Sequence, residues 1–88
     1  MLAEEICRRA ADLVGGDRAR QHGHPKAAHT RIAALWSAYL DHPVTAHDVA
    51  NLMVQLKVAR STTGTLNLDD YVDVAGYAGI AAELASHV

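Results

Sequence analysis

Eighty-eight residues make one small domain. Half of them are hydrophobic, but with no Phe and a single Trp the apolar content leans on Ala, which buries little area. A net charge of −2 excludes a protein that coats DNA or RNA, and no apolar run approaches membrane-spanning length. Cys7 is the single cysteine, so no intrachain disulfide can form; with no signal-peptide core at the N-terminus, a reducing cytosol is the expected location.

Four helices and no strand are expected. Leu2, Ile6, Ala10, Leu13 and Val14 recur at helical spacing, and Gly15-Gly16 ends that first segment. Pro25 suits the first turn of a second helix with the stripe Ala28, Ile32, Leu35, Trp36 and Tyr39. Thr45 followed by Asp48 reads as a short-armed capping box opening a third helix, which buries Val49, Leu52, Met53 and Leu56 and runs to about Ser61. Asn67 can cap a fourth, which carries Val74, Tyr77, Ile80, Ala81 and Leu84 on one side. Its small side, Ala75, Ala78, Gly79 and Ala82, suits close helix packing. Short connections favour antiparallel neighbours, so the fold class is an all-α bundle spanning residues 1–88. A core this rich in Ala makes homo-oligomerisation an attractive source of further burial.

Charge is unevenly placed. Four basic residues and no acid lie between Arg18 and Arg31, while three acids and no base lie between Asp69 and Asp73. His22, His24 and His29 have H-x-H-x4-H spacing, but neither paired cysteines nor an HExxH helix accompanies them, which ranks a zinc site low. An anion site fits the segment better. Backbone N–H groups near Gly23 and the helix start after Pro25 can face a phosphate, with Arg18, Lys26 and neighbouring basic side chains adding charge-assisted hydrogen bonds. The plainer alternative is a solvated basic loop. His29 falls at the edge of the Ile32/Trp36 stripe and is expected to point inward.

On the third helix, Arg60 continues the Val49/Leu52/Leu56 stripe, and Lys57 and Asp48 flank it. An Arg in such a line needs a buried acid, an anionic ligand or an escape to solvent past the helix end. Asp69 and Asp70 suit the first turn of the fourth helix. Asp73 sits with Asp70 and Tyr77 on the core side and needs a cation, for which Lys57 and Arg60 are both candidates. Trp36 and Tyr77 are core residues that can also stack on a base.

The stretches "HGHPKAAHTRIAALWSAYL", "TAHDVANLMVQLKVAR" and "LDDYVDVAGYAGIAAEL" resemble a family of small phage and prophage proteins known only as a domain of unknown function. The likeness covers about residues 18–85 and rests most on LW-x-x-YL and D-x-x-D-x-x-G-Y; a Tyr-Gly pair usual in that family is His22-Gly23 here. The layout is more distantly similar to phage nucleotide-modification-associated domains, and more loosely to MazG-like all-α pyrophosphohydrolases. These resemblances imply nucleotide biology in a phage setting. The expected ligand is therefore a nucleotide-type small molecule, captured in the host cytosol with no cofactor. Arg18, His22, Gly23, Lys26, His29, Lys57 and Arg60 would meet its phosphates, Trp36 or Tyr77 would stack, and Asp70 and Asp73 would orient the cations. The alternative is a Mg²⁺-dependent hydrolase with Asp48, Asp70 and Asp73 on the metal, although the second helix supplies no acid between Pro25 and Leu40. A third possibility is an interaction protein without a small-molecule site.

Overall fold

Each helix begins and ends where local chemistry dictates. The computed structural model of the chain describes residues 1–16 and 24–86, in which four helices and no strand are found. Helix α1, Ala3–Gly15, carries Glu4 and Glu5 in its first turn, where acids complement the helix dipole. It stops at Gly16, where a Cβ would run into the Asp12 carbonyl.

Helix α2, Pro25–Leu40, opens with Pro at the first position, and the His24 ring accepts a hydrogen bond from the Lys26 N–H. It closes through Asp41, a left-handed residue at φ 51°, while the His42 N–H reaches back to the Ser37 carbonyl at 3.2 Å. The Ser37 hydroxyl fixes the following turn, accepting from the Val44 N–H at 2.8 Å and donating to the Val44 carbonyl at 3.1 Å.

The expected capping box is present at the start of α3, Ala46–Ser61. The Thr45 N–H donates to the Asp48 carboxylate at 2.9 Å, and the Asp48 N–H donates to the Thr45 hydroxyl at 3.0 Å. At the start of α4, Leu68–Ser86, the Asn67 side chain accepts from the Asp69 N–H at 3.0 Å, as expected of a cap.

Contacts run in the order α1–α4–α3–α2, with the widest seam between α3 and α4. Ala50 of α3 packs against Ile80 and Ala81 of α4, flanked by Val14, Tyr77 and Leu84. The result is an all-α bundle with α4 near its centre.

Two expectations about packing faces are corrected. The fully buried positions of α3 are Val49 and Ala50, whereas Leu52 and Leu56 are exposed. The seam with α4 is tight enough to favour Ala over Leu, so the wider Leu side chains are left on the outer flank. On α4, Ala78, Gly79 and Ala82 are exposed rather than packed, and a Cβ at Gly79 would meet nothing. The close approach occurs at Gly76, where a Cβ would sit 3.4 Å from Val14 of α1. On α2, likewise, His29 and Ala33 are buried while Ala28, Leu35 and Tyr39 of the expected stripe are exposed.

Candidate functional site

The antiparallel seam that joins Ala50 to Ile80 and Ala81 also brings Lys57 opposite Asp73. Their charged atoms lie 3.1 Å apart, with only 16% and 22% of the side chains exposed. Lys57 shares a face with Ala50 because the two are seven residues, about two helical turns, apart. Asp73 lies one turn before Tyr77 and one residue after the fully buried Val72. Of the two cations considered for Asp73, Lys57 is the partner.

Arg60 is placed differently from expectation. It is exposed and continues the outer line of Leu52 and Leu56, so it does not share the inner position of Lys57. The signal was in the sequence. Ala50, Val54 and Lys57 repeat at i, i+4 and i+7, but the larger leucines of the other line dominated the hydrophobic pattern.

His29 points inward and is 6% exposed. Its Nδ1 lies 2.7 Å from the Pro25 carbonyl. A carbonyl only accepts, so Nδ1 carries the proton, and in the tautomer with a single ring proton Nε2 is an acceptor. Nε2 is buried and has no hydrogen-bond partner among the described residues. The ring stands 6.0 Å from that of Tyr77, centroid to centroid, with the planes tilted by 58°. Two turns further along α2, Trp36 is half-buried on the same line as His29.

His29, Tyr77, Asp73 and Lys57 thus follow one another from α2 across α4 to α3. Asp70 lies a turn before Asp73 and is buried, with 8% exposure. Lys26 is exposed on the first turn of α2. Arg18, His22 and Gly23 lie outside the described residues.

The carboxylates proposed for a metal do not converge. Asp48 precedes Lys57 by nine residues, about 13 Å along the helix axis, and so lies far from Asp70 and Asp73. Its carboxyl is held below its ordinary range, chiefly by the Thr45 backbone N–H and then by the Thr45 hydroxyl. Among the described residues no group of three His, Cys, Asp or Glu side chains is placed to hold a metal ion. His24 and His29 face opposite environments, one exposed and one buried, and each uses Nδ1 in a local hydrogen bond.

Two mycobacteriophage proteins are similar over most of the chain. The Gene 55 protein of Mycobacterium phage D29 is 40% identical over 78 residues, 89% of this chain and 52% of that protein. The Gene 55 protein of Mycobacterium phage L5 is 41% identical over 76 residues, covering 85% and 49% respectively. The chain therefore spans about half the length of the curated relatives it matches. No solved structure matches it. The family model matches residues 5–85, so that nearly every helical position just described is a family position, and the chain belongs to the phage-protein family described as DUF6378, a domain of unknown function.

Proposed function

We propose that this protein binds a nucleotide or nucleotide-derived signalling molecule and holds it intact. The observation that carries this reading is the half-buried Lys57–Asp73 pair lying in line with Tyr77 and the buried Nε2 of His29, which has no hydrogen-bond partner among the described residues. Lys57 supplies a point charge for a phosphate, and Asp73 fixes its direction. Tyr77 and Trp36 supply stacking surface. Nε2 accepts from an N–H or O–H, as a base or sugar offers, which changes the expected role of His29 from phosphate contact to donor reader. Lys26 and the start of α2 add an anion-friendly edge, which the basic segment containing Arg18, His22 and Gly23 extends in sequence.

Capture is favoured over cleavage because Asp48 stands apart from Asp70 and Asp73, leaving two carboxylates where Mg²⁺-assisted pyrophosphate chemistry uses several. The acting form is a homo-oligomer in the host cytosol, where a phage gains from removing a defence signal. No helix of the described residues is long and apolar enough to cross a membrane. Arg60 is left out of the binding set because of its outer placement.

The test is to incubate the purified chain with a panel of nucleotides and cyclic dinucleotides plus Mg²⁺, then identify the small molecules before and after denaturation. Intact ligand released only on denaturation is the expected result. Turnover to pyrophosphate and a monophosphate would replace capture by hydrolysis, and neither retention nor turnover would overturn both. Asp73→Asn should weaken retention by about tenfold, as expected when a charge-assisted contact is lost.

A further inference from the structure

Large apolar side chains stand on the surface of the chain, Tyr39 at 89% and Leu35 at 64% exposure, with Leu52 and Leu56 each more than two-fifths exposed. Meanwhile four of the seven buried hydrophobic residues among the described ones are alanines.

The exposed side chains are gathered rather than scattered. On α3, Ala50 and Lys57 face α4, and at 100° per residue Leu52 and Leu56 lie about 100–160° round from them. On α2, His29 faces Tyr77 of α4, and Leu35 and Tyr39 lie about 80–120° round from it. Because α2 and α3 pack as antiparallel neighbours, both pairs fall on the side of the hairpin that α4 leaves open.

We infer that this face, Leu35 and Tyr39 of α2 with Leu52 and Leu56 of α3, is where a second copy of the chain docks. The sequence of α3 is self-complementary about its centre. Val54 is the midpoint of both Leu52/Leu56 and Asp48/Arg60. A twofold axis perpendicular to α3 at that level seats Leu52 against Leu56 of the partner subunit. It also sets the acidic Asp48 end against the basic Arg60 end of the partner subunit, in the reciprocal manner of an isologous dimer. Asp48 and Arg60 are both exposed. Arg60 thereby acquires a role in pairing rather than in phosphate binding.

This inference deepens the homo-oligomer reading and is independent of the ligand. Sedimentation velocity of the full chain without nucleotide, at concentrations up to on the order of 100 µM, tests it. Twice the chain mass is expected. Leu52→Asp with Leu56→Asp should give a monomer of unchanged helical circular dichroism. Arg60→Glu, at an exposed site that burdens no core, should weaken dimerisation about tenfold by facing Asp48 of the partner subunit. A monomeric wild type would overturn both the interface and the oligomer reading. A dimer that survives the leucine substitutions, or is indifferent to Arg60→Glu, would overturn the interface and leave oligomerisation standing. Nucleotide retention is measured separately, so its failure is distinguishable from either result.

Discussion

The two sides of α3 reverse the usual allocation of residues. Its inner side meets α4 through Ala50 and Lys57, while its outer side displays Leu52, Leu56 and Arg60. The inner side is narrow, so small residues and one paired charge fit it. The outer side carries the larger side chains, and Leu52 and Leu56 stay exposed among the described residues. One side thus sets the fold and candidate site, and the other is available for association. Mutations should separate the two cleanly.

The largest effect belongs to the buried positions of α3. Val49 is fully buried, so Val49→Asp places an unpaired charge in the bundle and should lower stability by roughly 3–5 kcal/mol. Leu52→Asp, three residues on, should change the unfolding of the monomer by no more than about 0.5 kcal/mol. Chemical denaturation of both variants at dilution measures the contrast; equal losses would erase the distinction between the sides. Next in size is Asp73→Asn, which strands Lys57 at a half-buried position. It should cost about 1–3 kcal/mol, against near neutrality for Asp69→Asn on the exposed first turn of the same helix.

How far the sequence reveals this arrangement follows from the range of the interactions. Caps act over three or four residues, so Pro25, the Thr45–Asp48 box and Asn67 were legible, and the helix limits with them. The inward direction of His29 was legible from its place beside Ile32 and Trp36. The inner line of α3 was not, because Leu52 and Leu56 outweigh Ala50 in any hydrophobic pattern and only the nearness of α4 reverses their order. For the same reason the cation opposite Asp73 stayed open between Lys57 and Arg60, which are three residues apart. The bond from His29 to the Pro25 carbonyl is local, but nothing in sequence spacing announces that it leaves Nε2 as the ring's acceptor.

A smaller effect is expected where the outer side begins. Thr45→Ala removes one half of the capping box and should cost about 1 kcal/mol. It should also weaken a pH dependence, leaving the larger part, which comes from the Thr45 backbone N–H that Ala keeps. Folding lowers the Asp48 pKa, so its contribution is fully present above the unfolded carboxylate value and is lost as pH falls through the lower folded value. Wild type should therefore lose more stability than Thr45→Ala between mildly acidic pH and the region below the ordinary carboxylate range. Thermal melts across that range decide it, and parallel curves would mean that the Thr45 hydroxyl adds nothing to the lowering of the Asp48 carboxyl.

The smallest effect joins the two sides, at the turn from α2 to α3. Asp41 holds a left-handed conformation, φ 51° and ψ 44°, which an L-residue adopts at some steric cost and Gly adopts freely. The terminating bonds are made by backbone groups, from the Asp41 N–H to Ala38 and from the His42 N–H to Ser37, so they survive loss of the side chain. Asp41→Gly gives Gly a larger unfolded-state entropy to lose, which works against the relief of strain. Asp is among the residues that tolerate this conformation best, so the net change should be a gain of at most about 0.5 kcal/mol. Asp41→Val, branched at Cβ, should instead lose about 1 kcal/mol or more. The order Gly at or above Asp, and Asp above Val, is the outcome to measure by denaturant midpoint. Because the substitution lies outside the inner seam and the Leu52/Leu56 line, it should alter neither ligand retention nor self-association, and a change in either would show that the turn, rather than the helix faces, sets how the two sides of α3 are presented.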